Sequence, residues 1–247
     1  MGIPSSPTRF ERPPKAAFLV ARQIVEDIET LGLVPGDGIG AERELMDRHE
    51  VSRATLREAI RILEVHGVVR TRAGVTNGPT ILAPDARAVI GSLSLLLQRS
   101  ASNLSDLVEA RTAMAAIVYP NAIPRFGEHD WTVLAERIDA AAAAADPVTY
   151  AVRRSEFVEH VAARAENGIS SHLFLAIDII GRTSLRGLDF EIRDLTLSIH
   201  RDLIARRPTD AAEVAETIRG AGHVLLDRLT QTRPETMARL VTWQLAG

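Results

Sequence analysis

Residues 34–74 read VPGDGIGAERELMDRHEVSRATLREAIRILEVHGVVRTRAG, and this stretch decides the fold of the first part of the chain. Turn-forming residues at 35–38 precede a short segment, 41–50, in which Leu45 and Met46 share one helical face among charged residues. After a break at 50–52, apolar residues recur at the spacing of one buried helical stripe: Leu56, Ala59, Ile60 and Leu63. The stretch therefore predicts two short helices joined by a tight turn.

The second of these helices has the side chains of a recognition helix for duplex DNA. Ser52 can cap it, because a serine hydroxyl accepts a backbone hydrogen bond at a helix N-terminus. Its first turns present polar and cationic groups that can reach phosphates and base edges in the major groove: Ser52, Arg53, Thr55 and Arg57. Residues 52–72 contain five arginines and two glutamates, a local excess of three positive charges. The alternative is a solvated helix face in which these arginines pair with Glu58 and Glu64.

The residues after the second helix predict a β-hairpin. Gly67 should end the helix, and residues 68–72 and 80–82 have the pattern of two short strands around the Gly-containing loop 73–79. Upstream, residues 15–31 form a periodic helix whose apolar face would pack under the recognition helix: Phe18, Val20, Ile24, Val25, Ile28 and Leu31. Together these elements predict a winged helix-turn-helix.

This stretch resembles the DNA-binding domain of GntR-family bacterial transcription regulators. The matching residues are Pro35-Gly36-Asp37, Glu42-Arg43-Glu44-Leu45, Val51-Ser52-Arg53, Thr55, Arg57-Glu58-Ala59, Leu63-Glu64, Gly67-Val68-Val69 and Gly74. Where the family usually has Leu-Pro-Ser before Glu-Arg-Glu, this chain has Ile39-Gly40-Ala41. The resemblance implies DNA contacts from Arg43, Ser52, Arg53, Thr55 and Arg57, with a wing around Ala73 and Gly74 entering the minor groove.

The rest of the chain predicts a mainly α protein in three parts. Residues 1–14 are expected to be a flexible tail, residues 15–82 the winged helix-turn-helix with its small β-hairpin wing, and residues 83–247 an all-helical domain. Helical periodicity covers eight segments of that last part: 86–99, 104–126, 128–144, 147–167, 170–183, 188–206, 210–231 and 234–245. Short loops between them indicate an antiparallel bundle of about seven helices, a natural place for a ligand pocket.

Composition excludes several functional classes. The chain of 247 residues has 46% hydrophobic residues, enough for two modest cores, and no cysteine, which excludes disulfides and thiol chemistry. A net charge of −3 is unlike a protein that coats nucleic acid along its whole surface. No long apolar run or leader pattern is present, so we expect a cytoplasmic protein. We also find no nucleophile elbow, phosphate-binding glycine loop or zincin spacing, and do not expect an enzyme.

The helical part resembles the FCD effector-binding domain of the FadR-type GntR subgroup. The resemblance rests on the segment 104–111, LSDLVEAR, on Phe157, and on His200 with Leu203 and Ile204. Many FCD domains hold a divalent metal with an Asp and a His four residues apart and two later histidines. In this chain the first two positions are Arg154 and Val158, whereas the later ones correspond to His200 and, after a shift of a residue or two, His223.

Two kinds of ligand site follow from this resemblance. In one, Glu156 and His160 act as substitute ligands with His200 and His223 for zinc or a similar transition metal. In the other, no metal binds, and Arg111, Arg154, His200 and His223 form a site for an anionic effector such as a carboxylate or acyl compound. The alternatives are a buried ion pair between Arg111 and an acid of a neighbouring helix, and a solvent-facing Arg154.

These observations predict a ligand-responsive bacterial transcription regulator. We expect a repressor that binds a palindromic DNA operator as a homodimer and is released or retuned by a small effector in the helical domain. Two alternatives stay open: a DNA-binding dimer whose helical domain takes neither effector nor metal, and a metal-dependent enzyme built on Glu156 and His160.

Overall fold

The computed structural model describes residues 15–71 and 78–239. Contacts divide the chain into two compact units, residues 1–88 and 89–247. Three predicted features lie outside the described residues: the tail 1–14, the tip of the wing with Ala73 and Gly74, and the end of the last helical segment, 240–245.

The first unit has the fold that the sequence predicts, three helices followed by a small hairpin. Its elements are α1 (Lys15–Thr30), α2 (Glu42–His49), α3 (Arg53–Val65), β1 (Val69–Arg70) and β2 (Thr80–Ile81). The strands are antiparallel, with Val69 opposite Ile81. Helices α1 and α3 pack together over a core of Val20, Ala21, Ile24, Ile39, Leu45, Leu56, Ala59, Leu63, Val69 and Ile81. Two members of the predicted apolar face of α1, Phe18 and Leu31, are exposed instead.

Local chemistry sets the limits of α3. The Ser52 side chain accepts a hydrogen bond from the Thr55 amide at 3.3 Å, which satisfies one of the free amides at the helix N-terminus. At the other end Gly67 has φ +66°, a conformation that residues with a β-carbon rarely adopt, and the chain reverses there into β1. The helix therefore begins and ends where the sequence predicts.

The second unit is helical, as predicted. Its elements are α4 (Arg87–Arg99), α5 (Leu104–Ala122), a 3-10 turn (Ile123–Arg125), α6 (Glu128–Ala142), α7 (Pro147–Arg164), α8 (Gly168–Ser184), α9 (Arg186–Glu191), α10 (Arg193–Arg206), α11 (Ala211–Thr232) and α12 (Pro234–Met237). The predicted helix 188–206 is two helices that meet at Ile192, and the predicted helix 104–126 tightens into the 3-10 turn shortly after Pro120. None of the helices in residues 15–71 and 78–239 is long and apolar enough to cross a membrane.

Helix α5 lies at the centre of the second unit and packs against α7, α8 and α11. Aromatic rings from three of these helices meet there: Tyr119 lies 6.0 Å from Phe174 and 6.4 Å from Phe157, measured between ring centroids. His200 of α10 packs on Phe157 at 4.3 Å. This cluster forms one side of an internal cavity, which is the second candidate site.

Candidate functional site

The first candidate site is the N-terminal end of α3 together with the start of α2. Arg53 and Arg57 are largely exposed, with 69% and 76% of their side chains accessible, and Arg43 on α2 is exposed as well. The Nε atoms of Arg53 and Arg57 lie 3.5 Å and 3.9 Å from the same Glu42 oxygen, Oε1. The structure thus brings the predicted DNA-contact arginines of α3 to one face, next to a carboxylate.

Ser52 and Thr55 are tied to each other at this end of α3. Their hydroxyl oxygens are 3.0 Å apart, in addition to the hydrogen bond from the Thr55 amide to Ser52. Ser52 is exposed and Thr55 is half-buried. Both hydroxyls therefore stabilise the first turn of the helix while remaining at the edge of the arginine face.

Glu42 is a functional candidate that the sequence analysis did not single out. Its Oε1 is buried and accepts no hydrogen bond from any described residue, although two guanidinium groups lie within 4 Å. A carboxylate in this position holds both arginines in one region and reduces the net charge of the face. Spacing within one helix could not reveal it, because the acid is on α2 and its cationic neighbours are on α3. Glu64, which the sequence offered as an alternative partner of the arginines, instead accepts a hydrogen bond from the Thr71 amide at 2.8 Å.

The second candidate site is a cavity of about 80 Å³ inside the helical unit. It is lined by residues of α5, α7, α8, α9, α10 and α11, including Arg111, Arg154 and His200. Three of the four residues predicted for an effector site are therefore adjacent. The fourth, His223, is exposed and lines a separate outer groove between α5 and α11 with Glu109 and Arg219. The expected convergence of His200 and His223 is wrong.

Both cavity arginines are paired with buried aspartates. Arg111 donates two hydrogen bonds to Asp189, at 2.9 Å and 3.1 Å, and Arg154 donates one to Asp178 at 2.5 Å. Arg111 thus forms the buried ion pair with an acid of a neighbouring helix, here α9. Arg154 is only 7% exposed, so the solvent-facing alternative for this residue is wrong. The two pairs join α5 to α9 and α7 to α8 around the cavity.

The four charges of this cluster balance. Burial alone would raise the pKa of Asp189, but Arg111 and then Arg154 outweigh it and hold that pKa below its ordinary value. Burial alone would lower the pKa of Arg154, and the nearby carboxylates of Asp178 and Asp189 raise it instead. Asp189 is therefore ionised at neutral pH, and the formal charges of the two arginines and two aspartates of the cluster sum to zero.

His200 contributes a neutral ring to the cavity wall. Burial, then the positive charges of Arg154 and Arg111, lower its pKa from 6.5 to about 3. Its Nδ1 atom is buried without a hydrogen-bond partner among the described residues, and so is Nε of Arg154. Buried polar atoms are nearly always hydrogen-bonded in native proteins, so two such atoms on residues lining one cavity indicate a place for a ligand or water.

The donors present do not fit a metal ion. Arg154 and Val158 replace the first two ligands that the resemblance implies, and the substitutes are engaged elsewhere: Glu156 pairs with Arg153 at 3.0 Å, and His160 with Asp130 at 3.0 Å. Within residues 15–71 and 78–239, no three His, Cys, Asp or Glu side chains are grouped as metal ligands would be. A guanidinium cation occupies the part of the site where a metal would need a carboxylate.

Asp178 and Asp189 are site residues that the sequence analysis missed. Asp178 is a single acid inside an otherwise apolar stretch, residues 173–181, and that isolation was the available signal. Asp189 had no comparable signal, because its segment contains arginines and another acid. Both pairings depend on how separate helices pack together, α5 with α9 and α7 with α8.

Comparisons with known proteins identify the family to which the helix-turn-helix region is similar. The model of the family described as bacterial regulatory proteins, gntR family, matches residues 19–76. The chain is 29% identical over 195 residues to a Bacillus subtilis (strain 168) protein named as an uncharacterized HTH-type transcriptional regulator, YcbG, covering 76% of this chain and 81% of that protein. It is 25% identical over 232 residues to the HTH-type transcriptional regulator Mce2R of Mycobacterium tuberculosis (strain CDC 1551 / Oshkosh). That match covers 90% of this chain and 92% of Mce2R.

A solved structure has the same fold. Streptococcus agalactiae GntR aligns with 88% of this chain and 99% of its own, with a TM-score of 0.59 and 22% sequence identity. The relatives are transcription regulators and not enzymes. The family match over residues 19–76 and the arginine face of α3 therefore identify a GntR-type DNA-binding helix-turn-helix in the first unit, and the chain as a whole is similar to bacterial transcription regulators.

Proposed function

We propose that this regulator is a ligand-responsive repressor of the FadR-type subgroup, with an FCD-like helical domain. It binds a pseudo-palindromic operator as a homodimer and releases it when a small molecule occupies the cavity of the helical unit. The observation that carries the proposal is the internal cavity itself, whose wall contains two buried polar atoms, Arg154 Nε and His200 Nδ1, that have no hydrogen-bond partner in the part of the chain that the structure describes. Since the partner is chromosomal DNA, we place its action in the cytoplasm.

For the DNA-bound form we propose contacts from two helices and the wing. Arg53 and Arg57 project from the first turns of α3, from which side chains reach base edges and phosphates when such a helix lies in the major groove. The full set is Arg43, Ser52, Arg53, Thr55 and Arg57, with Ala73 and Gly74 in the wing. The exposure of the described arginines supports this assignment.

An apolar groove on the helical unit supports the proposed dimer. Val89 of α4 and Ile169 and Leu173 of α8 are exposed large apolar side chains that line one groove. Clustered exposed apolar groups are typical of surfaces that another chain covers. A symmetric dimer contains two recognition helices, one for each half-site of a pseudo-palindromic operator.

One alternative has support of its own: a DNA-binding dimer whose cavity takes no effector. The cavity is small, and each of its two arginines already has an aspartate partner. In that case the two ion pairs only stabilise the packing of the helices. The two proposals differ in whether any small molecule changes the affinity for DNA.

The test couples ligand binding to DNA binding. Operator fragments are selected from genomic DNA with the full chain, and small molecules are screened by thermal shift for those that raise its melting temperature. Each stabilising compound is then added to the protein–operator complex, and dissociation is followed by fluorescence anisotropy. We expect at least one compound to lower operator affinity by about 5-fold to 150-fold. Compounds that stabilise the protein without changing operator affinity would favour the alternative, and failure to bind any DNA fragment would contradict the function as a whole.

A further inference from the structure

The charges around the cavity restrict what it can bind, an inference that rests on the proposed function. Arg111, Arg154, Asp178 and Asp189 all line the cavity, and their charges sum to zero. A ligand with a single negative charge would leave this buried cluster with one anion in excess. An unbalanced charge in a buried site is strongly unfavourable, because the lost hydration is not replaced. Charge balance therefore disfavours the simple carboxylate that the arginines alone suggest.

The hydrogen-bonding groups of the wall call for both an acceptor and a donor on the ligand. The Nε–H group of Arg154 has no acceptor among the described residues, and the buried Nδ1 of His200 has no partner there either. The aspartates, in contrast, can accept further hydrogen bonds from a donor on the ligand. A carboxylate can accept about four hydrogen bonds. Asp178 accepts one from Arg154, and Asp189 accepts two from Arg111. An ammonium group would use that remaining capacity.

The volume limits the ligand to a few atoms. A cavity region of about 10–15 Å³ holds one water molecule, so the cavity of about 80 Å³ has room for roughly five to eight non-hydrogen atoms. Apolar side chains around the charged cluster, among them Val108, Val158 and Leu225, suit a short aliphatic group.

We propose that the cavity is a binding site for a small zwitterion, a short α-amino acid or a compound of the same charge pattern. Its carboxylate accepts hydrogen bonds from Arg154 Nε–H and from Nδ1–H of His200, and its ammonium group lies against Asp178 and Asp189. The guanidinium of Arg154 serves as the fixed cation of the site, so no metal is needed to hold the carboxylate.

The experiment compares amino acids with hydroxy acids of the same shape, using the full chain. Glycine, alanine and serine are paired with glycolate, lactate and glycerate, which replace the ammonium group by a hydroxyl. Binding is measured by thermal shift and calorimetry, with lactamide and alaninamide as the neutral and cationic counterparts of alanine. We expect at least one amino acid to bind roughly tenfold more tightly than its hydroxy acid. Equal or tighter binding of the hydroxy acid overturns the proposal, as does a lack of response to all three amino acids.

A substitution tests the role of the aspartate. Asp178→Asn removes one negative charge from the wall, so the cavity should now prefer the hydroxy acid to the amino acid. Asp227→Asn, on the exposed face of α11, is the control and should leave the preference unchanged. An Asp178→Asn chain that folds and keeps the preference for the amino acid contradicts the assignment. If the hydroxy acid binds and releases DNA while the amino acid does neither, only this inference fails and the proposed function stands.

Discussion

The side chain of Thr112 on α5 lies in the space that a β-carbon on Gly222 of α11 would occupy. Thr112 Oγ1 and Cβ would be 2.6 Å and 2.8 Å from that carbon, closer than atoms can pack. Both residues line the internal cavity and also the outer groove that holds His223. This contact is therefore the wall between the two spaces, and it requires glycine on α11.

We predict that Gly222→Ala destabilises the protein although alanine favours helices. The added methyl group must displace Thr112 or separate α5 from α11, and overpacking of this kind costs about 1–3 kcal/mol. The matched control is Gly220→Ala on the same helix, where nothing lies within 4 Å of the new β-carbon. That change should stabilise the helix by about 0.5–1 kcal/mol.

Urea unfolding of the two variants measures both effects. A Gly222→Ala chain as stable as the original protein would show that α5 and α11 separate without cost. Adding Thr112→Ala to Gly222→Ala should recover part of the lost stability, because it removes the γ-atoms in conflict. Recovery by Thr112→Ala identifies the steric contact, and not helix propensity, as the cause.

We predict that Arg53→Ala and Arg57→Ala each weaken operator binding by about 1–3 kcal/mol if these side chains contact bases. Both guanidinium groups are exposed, so the substitutions should leave the folded structure intact. Arg22→Ala on α1, which removes only an exposed pair with Glu26, is the control. Fluorescence anisotropy with different DNA sequences at several salt concentrations separates contacts with bases from contacts with phosphates. A loss that is the same for all DNA sequences would assign the arginine to phosphate.

We predict that Glu42→Gln strengthens binding to DNA of arbitrary sequence and reduces the preference for the operator. The substitution removes a negative charge 3.5 Å from Arg53 and 3.9 Å from Arg57 and keeps the shape of the side chain. More positive charge then faces the phosphates, so the salt dependence should become steeper by about one counterion. The two arginines also lose the group that holds them together, which should lower discrimination between base pairs.

The control for this prediction is Glu29→Gln on the exposed side of α1, which changes the net charge equally. If both variants bind arbitrary DNA to the same extent, the effect comes from net charge and Glu42 has no special role. If Glu42→Gln improves binding to the operator as much as to other DNA, Glu42 does not orient the arginines.

The helix-turn-helix was predictable because its signals are local. The cap of α3 depends on Ser52 and Thr55, its end depends on Gly67, and its core depends on a stripe at helical spacing. Helical periodicity located the helices of the second unit for the same reason. The break between α9 and α10 at Ile192 was not predicted, because apolar residues occur on both sides of it and Ile192 is itself apolar.

The cavity was only partly predictable because it depends on the relative rotation of helices. Gly222 and His223 are neighbours in sequence, and one residue along a helix turns a side chain by about 100°. Gly222 therefore faces α5 and the cavity, whereas His223 faces the outer groove. A shift of a single position on α11 therefore decides whether a side chain reaches the cavity, and His223 lies in the outer groove. The partners of Arg111 and Arg154 come from α9 and α8, and no sequence spacing connects them.

The neutral, buried state of His200 predicts a loss of stability in mild acid. The unfolded chain takes up a proton at His200 near pH 6.5, whereas the folded chain does so only near pH 3, because burial and the two arginines oppose the charge. As pH falls from 6.5 towards 3, the unfolded state therefore binds more protons, and the free energy of unfolding falls by up to about 1.4 kcal/mol per pH unit. Burial also lowers the pKa of His160, which adds a contribution of the same sign.

The variants His200→Gln and His160→Gln separate the two contributions when urea unfolding is measured between about pH 7 and pH 5. This window lies above 3.8, the ordinary pKa of aspartate, and the pKa values of Asp130 and Asp189 are lower still, so carboxylate protonation contributes little there. His200→Gln will lose the contact with Phe157 at every pH, which lowers stability but does not change its slope. We expect the free energy of unfolding to change less steeply with pH in His200→Gln than in the original protein. Equal slopes would mean that His200 keeps its ordinary pKa of 6.5 in the folded state, and the cavity would then gain a net positive charge below that pH and favour a simple anion over a zwitterion there.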